Sequence, residues 1–422
     1  MQDVASEPRM RVFFLCQRVP FPPDRGDKIA TFHLLRHMAR HHEVHVFCLA
    51  TDTREIGLVA GLAGIAASVT ALPYHRRAGL LRLLRALPSS QPLSVAMLCE
   101  NALHDAVAEA AARLQPDIVF VYSATVAQFI ERLPTLPGII DFADLDSQKW
   151  LGLSRRAPIP MRWIYALEAR RVLAYERRIA PRFSRSLVCT QQEANDFRRL
   201  IPGVPVGILR NGIDLAYFRS SGDPRERHAL VFTGVMNYAP NVDAMVWFCT
   251  SILPLIRVRI PGTLLTICGS TPARQVRRLA RISGVTVTGR VPDVRPYLDH
   301  ARLFVAPLRL GRGIQNKLLE AMAMGLPVVT TQAAWRATGI TIGNGIVVAD
   351  TEQDFADTVV ALLLDDARRI AMGSAAREAV SGFDWNTILA ESDDLLATSL
   401  QECPVGTEGN KDAWEDCRRC AS

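Results

Sequence analysis

The feature that most constrains the fold of this 422-residue sequence is an alternation of short apolar runs with helix-like segments. Ten such runs form two series, separated by residues rich in Pro and Gly. The runs lie at residues 11–16, 43–49, 117–122, 138–141, 229–234, 264–269, 285–289, 303–307, 327–331 and 345–348. Because parallel strands need long crossovers, this order predicts parallel sheets with helices on both faces. We therefore expect an α/β fold of two doubly wound, Rossmann-like domains that face each other across a cleft.

The cluster of Pro, Gly and Asn residues near residues 202–221 gives the domain boundary. We expect an N-terminal domain at residues 1–205 and a C-terminal domain at residues 206–383. Residues 384–400 are predicted to form a helix that packs back towards the first domain. Residues 401–422 turn polar and are predicted to be a flexible tail.

Composition restricts the class of protein. Hydrophobic residues make up 49% and charged residues 22%, which excludes a disordered or fibrous chain. The net charge of +7 fits anionic ligands or a membrane surface and does not require nucleic acid as a partner. The nine scattered cysteines and the absence of a signal-peptide core predict a cytoplasmic protein. The uncharged residues 56–74 are predicted to form a small-residue helix and a strand at 68–72 rather than a membrane span.

The most informative stretch spans residues 307–329. A predicted strand is followed by a loop with Gly311 and Gly313, by a helix over about 314–324 that Gly325 ends, and by another strand. Such a loop and helix start can approach phosphate oxygens closely, and Arg309, Arg312 and Lys317 add positive charge. The single acid of the window, Glu320, suits sugar hydroxyls. An ordinary solvated strand–turn–helix explains the spacing about equally well.

Glu320 and the following Ala-Met-Ala-Met-Gly-Leu-Pro-Val-Val resemble the signature of family 4 retaining glycosyltransferases, two-domain enzymes of the GT-B fold that use nucleotide sugars. The resemblance implies that Glu320 binds the ribose of the nucleotide. The family's first Glu, which contacts the donor sugar, lies eight positions earlier, where this sequence has Arg312. Residues 210–214 and 289–294 resemble the family's domain-junction turn and its base-binding loop. Around residues 232–244, an Arg and a Lys that grip the diphosphate in many relatives are missing, and Asn237 follows Gly234 instead.

The sequence is also similar to one subgroup, the sugar transferases associated with exosortase (PEP-CTERM) exopolysaccharide systems. That similarity rests on residues 313–320, 20–28, 122–123 and 141–150. It implies a role in exopolysaccharide biosynthesis.

The resemblance implies a set of site residues in three groups. The catalytic candidates are Arg312, Lys317 and Asp144. Donor binding falls to Gly26, Gly234, Asn237, Arg290, Val291, Gly311, Gly313, Ile314, Gln315, Asn316 and Glu320. The acceptor side comprises Asp24, Arg25, Lys28, Tyr122 and Ser123. The first loop and the Asp144 segment also fit plain exposed turns, with Asp146 or Ser147 capping the next helix.

Two basic stretches bear on membrane contact. Arg76, Arg77, Arg82 and Arg85 alternate with leucines in a short amphipathic helix, which suits an anionic membrane surface and equally suits a solvated helix. Residues 149–185 carry ten basic residues and are predicted to form a solvated linker helix. Cys417 and Cys420 in the tail are a weak zinc signal without further ligands, so we expect thiols of no function.

We therefore expect a retaining glycosyltransferase that needs no metal and no cofactor. It would move a sugar from a nucleotide sugar to an oligosaccharide acceptor, lipid-linked and reached from the cytoplasmic face of the membrane. Two alternatives remain open from the sequence. One is a sugar-nucleotide epimerase of the same fold, and the other is a degenerate transferase that serves as a partner in an assembly complex.

Overall fold

The computed structural model describes residues 9–133, 136–155, 157–222, 226, 228–309, 314–390 and 393. The chain divides into two compact units. The first comprises Met1–Arg210 and Leu389–Ser422, and the second comprises Asn211–Ile388.

The first unit is built on a seven-stranded parallel sheet in the order β3-β2-β1-β4-β5-β6-β7. Its strands are β1 Arg11–Cys16, β2 Glu43–Ala50, β3 Ser68–Pro73, β4 Ile118–Tyr122, β5 Gly138–Asp141, β6 Arg185–Val188 and β7 Val206–Ile208. Its helices are α1 Gly26–His41, α2 Thr53–Gly57, α3 Arg76–Ala86, α4 Leu93–Leu98, α5 Asn101–Leu114, α6 Asp146–Ser154, α7 Met161–Ile179 and α8 Gln191–Leu200. The central strands β1 and β4 are buried almost throughout, because helices cover both faces of the sheet.

The second unit has a six-stranded parallel sheet in the order β10-β9-β8-β11-β12-β13. Its strands are β8 Ala229–Thr233, β9 Leu264–Cys268, β10 Val285–Gly289, β11 Leu303–Ala306, β12 Val328–Thr330 and β13 Ile346–Val348. Its helices are α9 Ala239–Trp247, α10 Leu253–Arg259, α11 Arg274–Leu279, α12 Arg295–His300, α13 Asn316–Ala323, α14 Gln332–Trp335, α15 Glu352–Leu364 and α16 Asp366–Ala379.

Strand order reverses once in each sheet, between β1 and β4 and between β8 and β11. In open parallel sheets, ligands bind beyond the carboxyl ends of the strands at such a switch point. The topology therefore predicts ligand sites at the residues that follow β1, β4, β8 and β11. The α/β prediction with two doubly wound sheets is confirmed.

Three local predictions differ from the structure. Residues 56–67 form no long helix: α2 ends at Gly57 and a 3-10 turn covers Leu58–Leu62, where Gly61 lies against the ring of Phe21. The boundary at 205/206 falls before β7, which pairs with β6 of the first sheet. The predicted boundary at 383/384 is also shifted. Asp384 pairs with Ile213 inside the second unit, and the first unit resumes at Leu389.

The predicted solvated helix at 149–185 is also wrong. The described residues of this stretch form two helices, α6 and α7, that pack on each other, and the two acids of α7, Glu168 and Glu176, are buried.

In the second unit, Ala239–Arg259 is a continuous helical stretch long and apolar enough to cross a membrane, with a mean hydropathy of 1.3. More than half of its most apolar window is buried, as in the core helix of a folded domain.

Candidate functional site

The carboxyl end of β8 in the second unit is shaped by two glycines. The Gly234 N–H donates to the Cys268 carbonyl oxygen at 3.0 Å, and Gly269 lies directly beside Gly234. A Cβ on Gly269 would stand 1.7 Å from the Gly234 oxygen, and its φ of 155° is one that other residues rarely adopt. Only glycine fits at position 269, and the two turns leave backbone exposed above the strand ends.

Lys317 lies in the first turn of α13 and reaches back to this edge. Its Nζ donates to the Asn241 Oδ1 at 2.9 Å and to the Gln315 Oε1 at 3.2 Å. The ammonium also stands 5.4 Å from the centroid of the Phe232 ring, within the range of a cation–π contact. Three separate segments of the chain therefore hold one cation at the switch point.

Burial shifts the pKa values of two charged residues of α13, Lys317 and Glu320. It lowers the pKa of Lys317 to about 8, an effect that the negative charge of Glu320 opposes. It raises the pKa of Glu320 to about 7, which the charge of Lys317 opposes in turn. Both groups therefore titrate near neutral pH, a property concentrated at binding and catalytic sites.

Asn316 connects this helix start to the turn at the beginning of the second unit. The Asn211 Nδ2 donates to the Asn316 Oδ1 at 3.2 Å. The Nδ2 of Asn316 is buried and makes no hydrogen bond with any residue in the described part of the chain. A donor left in this state at a helix start suits a ligand oxygen.

Arg309 does not join the cluster around Lys317, contrary to the sequence reading of this window. Its guanidinium binds both carboxylate oxygens of Asp243, at 3.0 and 2.5 Å, and stacks 4.9 Å from the centroid of the Trp247 ring. The indole of Trp247 in turn donates to Glu352 at 2.7 Å. The charge of Arg309 is therefore neutralised locally.

The other donor-side predictions are placed as follows. Gly311, Arg312 and Gly313 lie outside the described residues. Ile314 is buried. Asn237 is exposed on the turn after β8, and Asn241, which the sequence analysis left without a role, makes the contact with Lys317 instead.

Arg290 and Val291 follow β10, which stands three strand positions from β11, about 14 Å at ordinary strand spacing. The loop is ordered by Asp293, whose carboxylate binds Arg295 at 2.7 Å and accepts from Tyr217 at 3.3 Å. The hydrogen bonds from Arg295 hold the pKa of Asp293 below its usual value.

In the first unit, the loop after β1 and the start of α1 carry both exposed and buried charged residues. Asp24, Arg25 and Gly26 are exposed, and Arg25 binds Asp27 at 3.1 Å. Lys28 points inward, where its Nζ binds Glu55 at 2.7 Å and both side chains are buried. Lys28 therefore anchors the start of α1 rather than presenting an exposed charge.

The ends of β4 and β5 bring Tyr122, Ser123 and Asp141 together. The Ser123 N–H donates to the Asp141 carbonyl oxygen at 2.7 Å, and Ser123 adopts a φ of 84°, strained for a residue with a side chain. Burial raises the pKa of Asp141 to about 7, its hydrogen bond from the Ala143 N–H opposes the rise, and the nearby charge of Asp144 adds to it. Asp144, the predicted acid, accepts from the Cys189 thiol at 3.1 Å.

The sequence analysis did not identify Asp141 as a group with a shifted pKa. An Asp at the end of a strand is typical of an exposed turn, and its burial is visible only in the structure. Within the described ranges, no three His, Cys, Asp or Glu residues lie close enough together to hold a metal ion. Cys417 and Cys420 lie outside these ranges.

Comparison with known proteins places this geometry in a family. Residues 28–212 match the glycosyl transferase 4-like domain, and residues 227–365 match the glycosyl transferases group 1 domain. A relative from Mycobacterium tuberculosis, the GDP-mannose-dependent alpha-(1-6)-phosphatidylinositol monomannoside mannosyltransferase, is 35% identical over 46% of this chain and 56% of its own. The chain thus spans little more than half the length of that curated relative.

Solved structures show the same fold. Sucrose-phosphate synthase from Thermosynechococcus elongatus superposes with a TM-score of 0.70 at 16% identity, over 94% of this chain and 100% of its own. Anabaena HepE, solved in complex with UDP-glucose, superposes with a TM-score of 0.64 at 16% identity, over 92% of this chain and 100% of its own. With both domain models matched in order along the two α/β units, this chain belongs to the group 1, family 4-like glycosyltransferases of the GT-B fold.

Proposed function

We propose that this chain transfers a sugar from a nucleotide-sugar donor to an oligosaccharide acceptor, with the diphosphate bound at Lys317. One observation carries the proposal. Among the described residues, the hydrogen-bond partners of Lys317 are two neutral amide oxygens, so no bonded carboxylate cancels its charge. A partly desolvated cation at a helix start and a parallel-sheet switch point suits a phosphate group.

The reaction breaks the bond between the sugar C1 and the diphosphate oxygen and forms a bond between C1 and the acceptor oxygen. The negative charge that develops on the departing diphosphate would be stabilised by Lys317 and by the unused N–H of Asn316. Glu320 would accept hydrogen bonds from the ribose hydroxyls. We propose retention of configuration, in which the acceptor hydroxyl attacks on the face that the diphosphate leaves and passes its proton to the leaving oxygen. The family signature after Glu320 supports this stereochemistry, and no metal is included.

We further propose a lipid-linked acceptor in exopolysaccharide biosynthesis, reached from the cytoplasmic face. The subgroup motifs and the name of the mycobacterial relative, a phosphatidylinositol monomannoside mannosyltransferase, support this assignment. Of the four arginines predicted to contact lipid, Arg76, Arg77 and Arg85 are exposed. Arg82 differs, because its guanidinium turns inward and binds Glu100 at 2.5 Å.

A panel of nucleotide sugars tests the donor assignment. A ligand that binds only the folded protein raises its melting temperature, so the correct donor should produce a shift that the other nucleotide sugars do not. Incubation of that donor with acceptor should then release a nucleoside diphosphate, with the anomeric configuration of the product read by NMR. An epimerase would release none, and binding without turnover would indicate the degenerate partner instead.

A further inference from the structure

Helix α3 carries a face of exposed leucines. Leu80 and Leu81 are 57% and 56% exposed, and Leu84 and Leu87 are also exposed. Positions 80, 84 and 87 follow helical spacing and lie on one side of the helix. The buried Ala86 and the partly buried Leu83 pack with Leu93 and Ala96 of α4. Water-exposed leucines at this density need a covering surface.

The beginning of α7 presents a second apolar group. Ile159, just before the helix, is 72% exposed and Trp163 is 69% exposed. Met161, Ile164 and Leu167 are also exposed, and positions 163, 164 and 167 share one face of α7. Tryptophan is the side chain most enriched where protein meets the interfacial layer of a bilayer.

Polar contacts connect α7 to α4 and to the end of α3 within the first unit. Glu168 of α7 accepts from the N–H groups of Leu93 and Ser94 at 2.8 Å, which holds the start of α4. Arg171 donates to the Ala86 and Leu87 carbonyl oxygens at 3.2 and 2.7 Å, which caps the end of α3. The exposed residues of α7 lie within two turns of these anchors. Arg171 thus places the C-terminal end of α3 against α7, one helical turn from the exposed Leu167. We refer to the exposed apolar residues of the two helices together as the α3–α7 surface.

The exposed charges that α3 and α7 carry near these apolar residues are all of one sign. The acid that contacts α3, Glu100, is buried and paired with Arg82. Helix α3 contains no acidic residue, and both acids of α7, Glu168 and Glu176, are buried. The exposed charges on the two helices near the apolar residues are arginines: Arg76, Arg77, Arg85, Arg162 and Arg170. A second copy of this chain or a typical soluble protein would bring charges of both signs, whereas an anionic bilayer presents only negative charge over an apolar interior.

We propose that the α3–α7 surface inserts into the headgroup layer of an anionic lipid bilayer, with Trp163 and the α3 leucines entering the acyl boundary and the arginines binding lipid phosphates. The inference extends the membrane contact proposed above from one basic helix to a two-helix apolar surface, and it rests on the proposed lipid-linked acceptor. Arginine stems can lie along the apolar boundary while their guanidinium groups reach the headgroups.

Vesicle binding tests the surface without any turnover. The purified chain should float with vesicles of phosphatidylcholine and about one-third phosphatidylglycerol, bind pure phosphatidylcholine at least about tenfold more weakly, and show a blue shift of tryptophan emission on binding. Trp163→Ser combined with Leu84→Ser should weaken partition by about tenfold or more and remove the shift. Trp163→Phe should retain partition. Unchanged melting temperatures would establish that the variants fold.

Matched controls come from the second unit. Leu364→Ser and Ile370→Ser remove side chains of similar exposure and should leave partition unchanged. Failure of the wild-type chain to bind anionic vesicles, or equal losses in these controls, would overturn the inference. A concentration-dependent dimer that Trp163→Ser dissociates, with no vesicle binding, would overturn it in favour of a self-interface. Donor binding, measured by calorimetry without vesicles, reports separately on the proposed function.

Discussion

Lys317 and Glu320 lie one helical turn apart, and the protein shifts their pKa values towards each other. The shifts arise mainly from burial, and the opposite charges of the two groups limit them. Between the two pKa values, the site holds an ammonium and a carboxylate together. The proposed donor contacts use this combination, with the ammonium binding phosphate and the carboxylate binding ribose hydroxyls.

The affinity for a nucleotide sugar should therefore depend on pH with two limbs. Below about 7 Glu320 gains a proton, and above about 8 Lys317 loses one, so the affinity should be highest between these values. Calorimetric titration across the neutral range measures this profile, and the phosphodiester-like groups of the donor do not titrate there. Glu320→Gln should remove the acidic limb and move the basic limb to lower pH, because the carboxylate that raises the pKa of Lys317 is lost. An unchanged acidic limb in that variant would exclude Glu320 as its source.

Gly269 sets the shape of the strand ends. Gly269→Ala should lower the melting temperature by about 5 °C or more, because its Cβ would collide with the Gly234 carbonyl oxygen and its φ is unfavourable for alanine. Differential scanning calorimetry measures the change. Gly262→Ala is the matched control, since nothing lies within 4 Å of the added Cβ. Equal melting temperatures of the two variants would refute the close approach.

At the scale of elements, α6 begins between two buried carboxylates. The Ser147 N–H donates to Glu176 at 3.1 Å, and the Leu145 N–H donates to Glu193 at 3.2 Å. Burial raises the pKa of Glu176 to about 8, although its bonds with Ser147 oppose the rise. These acids position the segment that carries Asp144.

The free energy of unfolding should fall as the pH rises from about 5 to about 8. The folded chain binds the Glu176 proton more tightly than the unfolded chain does, so its contribution is complete below the unfolded pKa and is lost as the pH rises through about 8. Glu176→Gln should flatten this dependence in urea titrations repeated across the range. The exposed Glu378→Gln variant should keep the wild-type slope, and a wild-type slope in Glu176→Gln would contradict the assignment.

Glu168 connects α7 to α4. Glu168→Ala should destabilise the first unit by about 2 kcal/mol, because the buried Leu93 N–H and the partly buried Ser94 N–H and hydroxyl lose their acceptor. Thermal unfolding measures the loss. Glu168→Gln keeps one acceptor oxygen, so its melting temperature should lie between those of the wild-type chain and the alanine variant. A wild-type melting temperature for the alanine variant would mean that water replaces the carboxylate without cost.

The sequence predicted most strands because they are buried on both faces and read as continuous apolar runs. It missed β6 and β7, which are short and include Arg185 and Gly207. It identified Lys317 and Glu320 through a local motif. It did not assign Asn241 to Lys317 or Asp243 to Arg309, since these partners lie 76 and 66 residues apart and meet only after the sheet forms.

At the scale of the whole molecule, two sheets of related topology each present chemistry at their switch points. In the first unit, Tyr122 and Asp141 end neighbouring strands beyond the β1–β4 reversal. In the second, Gly234 follows β8 and Lys317 follows β11 across the same kind of reversal. The fold thus determines where ligands can bind, and the side chains at the second switch point are those to which we assign the diphosphate of the donor.

Steady-state release of nucleoside diphosphate from the donor, in the presence of acceptor, tests this central claim most directly. Lys317→Ala should lower kcat/KM by about a hundredfold or more while the variant stays folded, because the charge on the leaving group loses its main stabilising cation. Arg274→Ala, which removes an exposed arginine of the same unit, should turn over at the wild-type rate. Wild-type turnover by a folded Lys317→Ala variant would contradict the account.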